Sequence, residues 1–298
     1  MLNFHPLQLT DKQKLDIILS ENNFRSSDLS FANLYSWSQR FNPELAIFEH
    51  TFFMRSNCSE NDSCYMFPIG KLPINKSLNL MIENAKLRNL KFQIIGATRE
   101  MWNILNEKIP NRFHFLPDRN SFEYIYLSQN LINLQGKKLQ SKRNHINRFK
   151  IENPDWKYSK ITTKIAVAKC LEMLLKWELS EHDRLEKSQQ SEFLAVKKML
   201  ENFEILNLII GGIYVNNNLV AFSIGEKLTN DTFVVHCEKA YSDINGAYSI
   251  INQQFIINEA KNFTFVNREE DLGIENLRKA KMSYYPEILL EKGVISEI

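Results

Sequence analysis

The spacing of apolar residues predicts a chain of alternating helices and strands. Apolar positions recur every three or four residues in 79–90 and 163–183, which predicts amphipathic helices. Apolar and polar residues alternate in 46–55 and 63–70, which predicts strands of a hairpin or meander. A further hairpin is predicted over 208–228, because the three asparagines in its middle tolerate the positive φ of a turn. Both periods together predict a mixed α/β protein.

Two halves of the chain repeat the same order of predicted elements: a helix pair, antiparallel strands, a helix, a strand and a helix. A short echo supports this, because residues 95–100 read IGATRE and residues 265–270 read FVNREE, each before a predicted helix. Repetition of this kind indicates a duplicated α/β unit. A length of 298 residues is also typical of about two domains. We therefore divide the chain into domains 1–129 and 130–298.

A predicted helix over 29–41 carries aromatic side chains along one side. Phe31, Leu34, Tyr35 and Trp37 lie on or near one face of it. Such a face can stack a base or another ring. The same spacing is typical of a helix that faces the core, and it favours that interpretation.

Composition describes an ordinary globular protein, with 44% hydrophobic and 24% charged residues. The formal net charge of +2 gives no bulk argument for nucleic-acid binding, so any such argument has to come from a local patch. Apolar runs stay shorter than the roughly 18 residues of a membrane span, and the N-terminal residues lack a secretory signal. We therefore expect a cytoplasmic protein without integral membrane association.

The cysteines do not have the pattern of a metal site. Cys58 and Cys64 form a close pair, but no second pair of cysteines or histidines completes a zinc site. With Cys170 and Cys237 they are expected to be free thiols in a reducing compartment.

The densest group of charged side chains follows the predicted strands between residues 218 and 285. In the strand 232–240, alternation puts His236 and Glu238 on one face. An imidazole oriented by a carboxylate is a usable general base near neutral pH, so His236 and Glu238 are the candidate catalytic residues. The alternative is structural: Glu238 pairs with a lysine or arginine, and His236 is a satisfied core histidine.

The segment after that strand is a candidate donor-binding loop. An Asn-Gly turn leads into a predicted helix, whose first N–H groups suit a phosphate or carboxylate. A glycine there allows a ligand to approach the backbone closely, although Asn-Gly is also a common turn. The candidate binding residues are Lys239, Asn245, Gly246, Ala247 and Tyr248.

A second cluster, NREEDLG, follows the next predicted strand. Its acids can hold an amine or a metal, and metal is the weaker interpretation because no histidine lies nearby in sequence. Two cations three residues apart on the following helix can bind an anion. The candidates are Asn267, Arg268, Glu269, Glu270, Asp271, Arg278 and Lys281.

A basic segment opens the second half. Between Glu123 and Glu152 the chain has no acidic residue, and the predicted helix over 131–150 is interrupted near Gly136. Such a run can contact phosphates, with a solvated helix face as the equally open alternative. The candidate nucleic-acid contacts are Lys137, Lys138, Lys142, Arg143, His145 and Arg148.

Several of these stretches together resemble a known family. The blocks GKKLQSKRNHINRF, AFSIGE, HCEKA, GAYSIINQQF, NREEDLG and LRKAKMSYYP, with SDLSFANLYSW and FPIG near the N-terminus, are similar to those of the phosphatidylglycerol lysyltransferase C-terminal-domain-like family. The resemblance implies tandem N-acetyltransferase-like domains with mixed central sheets flanked by helices. It also implies kinship with Fem-type aminoacyltransferases.

On this resemblance, the expected function is transfer of an aminoacyl group from aminoacyl-tRNA to a small amine or hydroxyl acceptor, with no tightly bound cofactor. Residues 131–150 would face the tRNA. The strand-to-helix junction around Gly246 would cradle the donor, and Arg278 and Lys281 would lie near substrate phosphate.

Two departures limit the resemblance. The membrane-spanning part of the lipid-modifying enzymes is absent from this sequence, so a lipid acceptor is not implied. The glycine-rich coenzyme A loop of ordinary N-acetyltransferases is also absent, which disfavours acyl-CoA. The alternatives are an acyl-CoA-dependent N-acyltransferase and a non-catalytic ligand-binding module on the same fold.

Overall fold

The computed structural model describes residues 2–57, 62–181 and 187–298, and it divides into two compact units. The first unit comprises the chain up to Glu123, together with Glu270–Gly273 and Leu289–Ile298. The second unit comprises Tyr124–Glu269 and Ile274–Ile288.

The first unit is built on one mixed sheet. In spatial order its strands are His5–Pro6, Glu44–Phe48, Thr51–Asn57, Asp62–Tyr65, Lys91–Thr98, Lys292–Glu297 and Phe113–Pro117, and Ile69–Gly70 pairs with Thr51–Asn57. Its α-helices are Lys12–Ser20, Phe31–Ser36, Ser38–Phe41, Ile74–Leu87 and Arg99–Lys108. Aromatic and aliphatic side chains such as Phe52, Phe53 and Leu78 are fully buried.

The second unit has a sheet of the same kind. In spatial order its strands are Ile288–Leu290, Glu123–Leu127, Phe265–Asn267, Thr232–Ala240, Asn218–Lys227, Ile209–Val215 and Lys157–Ile161. Its α-helices are Ser128–Asn133, Gln140–Glu152, Lys164–Glu181, Lys187–Glu201, Phe203–Leu206, Ala247–Phe255 and Glu275–Met282, with a π-helical turn at Ile256–Ala260.

Each sheet contains a parallel pair of strands, which are the fourth and fifth strands when the second sheet is counted from Lys157–Ile161. In the first unit Asp62–Tyr65 pairs in parallel with Lys91–Thr98, and the helix Ile74–Leu87 connects them. In the second unit Thr232–Ala240 pairs in parallel with Phe265–Asn267 after the helix Ala247–Phe255. A parallel pair needs such a crossover, whereas the flanking antiparallel strands do not. The predicted fold class, two mixed sheets flanked by helices, is confirmed.

The division of the chain differs from the predicted one because each sheet takes one strand from a distant part of the sequence. Glu123–Leu127 follows a strand of the first sheet but lies in the second, and Lys292–Glu297 follows a strand of the second sheet but lies in the first. The chain therefore passes to the second unit at residue 124 rather than 130, and its last ten residues return to the first. Local patterning carries no signal for such an exchange.

Three local predictions can be compared with the structure. The basic segment is interrupted at Gly136 as predicted, where φ is +83°. The aromatic helix is two short helices, because Trp37 leaves helical geometry with ψ of 3°. The predicted helix over 163–183 begins at Lys164, and its last two positions lie outside the described residues.

Two of the cysteines predicted to be free thiols are free and buried, namely Cys170 and Cys237. Cys64 is disulfide-bonded, which corrects the prediction for that position, and Cys58 lies outside the described residues. Within the described ranges, none of the helices is long and apolar enough to cross a bilayer.

Candidate active site

The strand Thr232–Ala240 runs through the apolar core of the second unit and contains a β-bulge at His236. Cys237 lies opposite Ile224 and Val235 lies opposite Gly225, so His236 has no opposite residue in the register. A bulge redirects the side chains of its strand, and bulges are frequent beside active sites. The strict alternation assumed from the sequence therefore stops at His236.

His236 lies between two carboxylates. Its Nδ1 is 2.7 Å from Glu269 Oε1 and its Nε2 is 3.0 Å from Glu226 Oε1, and its side chain has no exposed surface. Burial lowers the pKa of His236, but the hydrogen bonds to Glu226 and Glu269 outweigh it and raise the pKa to about 10. Both ring nitrogens then donate at neutral pH, so His236 is a buried cation rather than a general base.

The predicted pairing of His236 with Glu238 is therefore wrong, and the structural alternative describes His236. Glu238 Oε2 accepts a 2.5 Å hydrogen bond from Arg268 Nη2, and Glu238 Oε1 accepts a 2.8 Å bond from Asn252 Nδ2. Alternation placed the two candidates on one face, but each has its own partners.

Arg268 is held by its ion pair and by two aromatic rings. Its guanidinium carbon is 5.5 Å from the centre of the Tyr126 ring and 4.8 Å from that of Tyr284. Burial lowers the pKa of Arg268, but the charge of Glu238 outweighs it and the net shift is upward. The guanidinium is a fixed positive charge with restricted orientation, as cation–π contacts and an ion pair together require.

Two buried polar atoms near Glu238 have no hydrogen-bond partner among the residues that the structure describes. They are Arg268 Nη1, a donor, and Asn252 Oδ1, an acceptor. Both belong to side chains that hydrogen-bond to Glu238. Buried polar atoms are rarely left unpaired in proteins, and an exception calls for an explanation such as a ligand. We refer to Glu238, Arg268 and Asn252 as the polar centre.

Lys142 adds a second cation beside the polar centre. Its Nζ lies 4.3 Å from the centre of the Tyr284 ring. Burial and the charge of Arg268 lower the pKa of Lys142. A negatively charged ligand atom between these two cations would relieve their repulsion.

The candidate donor-binding loop is arranged differently from the expectation. Gly246 has φ of +80° and precedes the helix Ala247–Phe255, but a Cβ on it would lie only 2.3 Å from the carbonyl oxygen of His145. The close approach is therefore made by a neighbouring helix of the same unit. His145 Nδ1 also contacts Asn245 Oδ1 at 3.3 Å.

Three further donor-loop candidates have different surroundings. Lys239 is buried and its Nζ lies 2.9 Å from Glu192 Oε1. Ala247 is buried in the core, whereas Tyr248 is 43% exposed.

The residues of NREEDLG divide at Glu270: residues 267–269 belong to the second unit and Glu270–Gly273 to the first. Asn267 Oδ1 accepts from the N–H of Glu269, whose φ is +57°, and this turn directs Glu269 to His236. Glu270 and Asp271 belong to the first unit, where Asp271 pairs with Arg119. Among the described residues no group of three or more histidines, cysteines or acids is placed to hold a metal ion.

The basic helix positions also separate. Lys281 is buried and its Nζ donates to the carbonyl oxygen of Arg268. This hydrogen bond helps to hold the backbone of Arg268, a residue of the polar centre. Arg278 is half-buried on the same helix. The predicted anion-binding face of Arg278 and Lys281 is thus used at Lys281 for a structural hydrogen bond.

In the basic segment, Arg143 and Arg148 have protein partners. Arg143 Nη1 donates to the carbonyl oxygens of Leu134 and Gly136, and Arg148 pairs with Glu152 on the same helix. Lys138 lies 5.1 Å from the centre of the Tyr285 ring. Lys137 and Lys138 are exposed and Lys142 is half-buried, so these three lysines remain the candidates for phosphate contact.

Sequence reasoning missed Tyr126, Tyr284 and Asn252. The two tyrosines lie among apolar residues in the sequence, so hydrophobic periodicity predicts only that they belong to the core. Asn252 lies in the apolar helix Ala247–Phe255 and is only 1% exposed, and a buried amide in such a helix is the signal that was available.

The chain belongs to the family described as phosphatidylglycerol lysyltransferase, C-terminal, whose model matches residues 21–293. This confirms the predicted family. A protein of unknown function from Bacteroides thetaiotaomicron has a structure similar to this one, with a TM-score of 0.94, 36% identity and complete coverage of both chains.

Two solved structures share the fold at low identity. A C-terminal domain of a lysylphosphatidylglycerol synthetase from Agrobacterium fabrum has a TM-score of 0.68 and 10% identity, covering 96% of this chain and 91% of that one. L-PGS from Bacillus licheniformis has a TM-score of 0.67 and 13% identity, with the same coverage.

An uncharacterised protein of Mycoplasmoides gallisepticum is 24% identical over 182 residues, which are 60% of this chain and 57% of that protein. The matched part thus spans less than two thirds of that relative. Family membership supports transfer of an acyl or aminoacyl group as the class of function.

Proposed function

We propose that this protein transfers an aminoacyl group from aminoacyl-tRNA to a small amine or hydroxyl acceptor, and that the polar centre binds the aminoacyl ester. Family membership supports the reaction class. The observation that carries the choice of an aminoacyl donor is the pair of unpartnered buried atoms, Arg268 Nη1 and Asn252 Oδ1.

An aminoacyl ester complements both atoms. Its carbonyl oxygen accepts from Arg268 Nη1, and its α-ammonium donates to Asn252 Oδ1. An acetyl group offers only the carbonyl oxygen, so it would leave the asparagine acceptor unpaired at a cost of about 1–3 kcal/mol. A site built to hydrogen-bond a substrate group discriminates strongly against an analogue that lacks it.

The same arrangement supports the chemistry. The acceptor nucleophile attacks the ester carbonyl, and the guanidinium of Arg268 stabilises the oxyanion that forms. Glu238 takes the proton from the nucleophile, and the departing ribose oxygen of the tRNA receives it as the C–O bond breaks. His236 has no part in the proton transfer, because it is itself protonated at neutral pH.

The tRNA would lie along the basic segment. Lys137, Lys138 and Lys142 would contact its phosphates, because Arg143 and Arg148 have protein partners. Each phosphate neutralised on a single strand contributes about 0.7 to the slope of log K against log salt. Three lysines therefore predict a slope of roughly −2.

The test is equilibrium binding of the purified protein to three ligands: a pool of aminoacyl-tRNAs, the same tRNAs after deacylation, and acetyl-CoA. The aminoacyl pool should bind at least about tenfold more tightly than the deacylated pool, because two hydrogen bonds are added. Asn252→Leu should abolish that preference, and Asn133→Leu on the exposed side of a neighbouring helix is the control.

Two results would reject the aminoacyl donor. Equal binding of charged and deacylated tRNA would show that the aminoacyl group is not recognised. Binding of acetyl-CoA without binding of tRNA at low salt would point to an acyl-CoA-dependent enzyme.

A further inference from the structure

The first unit contains a cavity that the proposed reaction does not use. Its volume is about 230 Å³, and all of its lining residues belong to the first unit. Its apolar wall includes Leu34, Trp37, Phe41, Met54, Met66 and Ile95. A mostly apolar cavity with a few polar groups is the usual form of a small-molecule site.

Asp28 brings a carboxylate to this cavity. Its Oδ2 lies 2.6 Å from Lys292 Nζ, and the same ammonium lies 2.7 Å from Glu123 Oε1. Glu123 has no exposed surface, while 30% of the Asp28 side chain is exposed. One ammonium group is thus shared by two carboxylates, and Asp28 is the one that can meet a ligand.

Asp28 shares its counter-ion, Lys292, with a second carboxylate, that of Glu123. Burial raises the pKa of Asp28, and the nearby charge of Glu123 also raises it, while Lys292 acts in the opposite direction. The net effect is a raised pKa of Asp28. Glu270, which also lines the cavity, adds to the negative charge around Lys292. A cationic group in the cavity would stabilise Asp28 in its ionised form.

The backbone keeps space free in front of Asp28. Gly96 has φ of +64° in the middle of a strand, and a Cβ on it would lie 2.8 Å from Asp28 Oδ2. A side chain at this position would therefore occupy the volume next to the carboxylate oxygen. The absence of a Cβ is needed for both the backbone conformation and the space.

The two arginines that line the cavity do not compensate Asp28. Arg55 donates to Glu44 at 2.8 Å and to Asn84 at 2.7 Å. Arg40 lies over the rings of Trp37 and Phe41, at 5.9 and 5.3 Å from their centres.

We propose that this cavity binds a small primary amine with an apolar or aromatic body, its ammonium against Asp28 and its body among Trp37, Met54 and Ile95. By proportion to a 150 Å³ cavity that binds benzene, the space suits about nine non-hydrogen atoms. A carboxylate next to the amine would face Asp28 and Glu270, so a simple amine is favoured over an amino acid. The inference stands independently of the proposed aminoacyl transfer.

The test compares three probes of matched shape by isothermal titration calorimetry on the full-length chain: phenethylamine, 2-phenylethanol and phenylalanine. Phenethylamine should bind at least about tenfold more tightly than 2-phenylethanol, because its ammonium makes a charge-assisted hydrogen bond. Phenylalanine should bind more weakly than phenethylamine. Asp28→Asn should remove the preference for the amine over the alcohol.

Glu291→Gln is the matched control, because Glu291 is an acid of the same unit that pairs with Arg99 outside the cavity lining. It should bind all three probes like the wild-type protein. If Asp28→Asn does not fold, the binding of phenethylamine and 2-phenylethanol to the wild-type protein still tests whether the cavity prefers an amine. Equal binding of the two, or no binding of either at millimolar concentration, would overturn the proposal.

Discussion

Arg268 Nη2 lies 2.5 Å from Glu238 Oε2, and the two side chains are only 11% and 12% exposed. The residues are thirty positions apart in sequence, and Arg268 follows the strand Phe265–Asn267, which pairs in parallel with the strand that contains Glu238. The pair is therefore a product of the fold. It fixes the one guanidinium nitrogen that bonds to Glu238 and leaves Nη1 available for a ligand.

Breaking this ion pair from one side should be costly. Arg268→Met leaves the Glu238 carboxylate buried without its charge partner, so we expect a loss of about 3–5 kcal/mol in the free energy of unfolding. The double variant Arg268→Met/Glu238→Leu should regain most of that loss, since no uncompensated charge remains. Urea unfolding of the wild-type, single and double variants measures the coupling, and additive losses would contradict it.

The charge of His236 should give stability a distinctive pH dependence. The pKa of His236 is 6.5 in the unfolded chain and about 10 in the folded one, so the folded state binds the proton more tightly. Its contribution is fully present below pH 6.5 and is lost as the pH rises towards 10, by an amount on the order of a few kcal/mol. His236→Gln should remove this part of the slope.

Urea unfolding at a series of pH values between 6 and 10 checks the prediction. If His236→Gln loses stability between pH 6 and 10 as steeply as the wild-type protein, His236 is not the titrating group.

Gly246 should be needed for packing rather than for ligand approach. Gly246→Ala combines the strain of φ +80° with a Cβ 2.3 Å from the carbonyl oxygen of His145. We expect a loss of about 2–4 kcal/mol in unfolding free energy. Urea unfolding measures the loss. A loss no larger than the roughly 1 kcal/mol of the left-handed backbone conformation alone would contradict the packing role.

The cations of the basic segment should have two separable roles. Arg143→Ala removes the hydrogen bonds to the carbonyl oxygens of Leu134 and Gly136 and should lower the free energy of unfolding by about 1–3 kcal/mol. Lys138→Ala should leave stability unchanged within about 0.5 kcal/mol. The lysine variant should instead weaken tRNA binding and reduce its salt slope by about 0.7.

Lys279→Ala, an exposed lysine of another helix that pairs with Glu275, is the control for tRNA binding. Loss of tRNA affinity to the same extent in Lys138→Ala and Lys279→Ala would show that no specific basic surface exists.

The sequence predicts the fold class and family because both rest on many positions at once. Hydrophobic periodicity identifies the strands, and the short echo at 95–100 and 265–270 falls on corresponding strands of the two sheets. The exchange of strands between the units is invisible to periodicity, since a strand reads the same whichever sheet it joins.

The site is less predictable because partners depend on register. Alternation assigned His236 and Glu238 to one another, but the bulge at His236 and the turn at Glu269 give each a different partner. Arg268 is found from sequence as part of a dense cluster. Its aromatic neighbours Tyr126 and Tyr284 come from distant segments and are found only in the structure.

The most direct test of aminoacyl transfer at Arg268 and Glu238 is the rate at which the protein moves radiolabelled aminoacyl groups from a tRNA pool to hydroxylamine, a small amine acceptor. The wild-type protein should form aminoacyl hydroxamate faster than buffer alone, and Lys279→Ala should do the same. Arg268→Lys and Glu238→Gln should each lower the rate by about 10²-fold or more. No acceleration by the wild-type protein, or the wild-type rate in Arg268→Lys and Glu238→Gln, would contradict transfer at this centre.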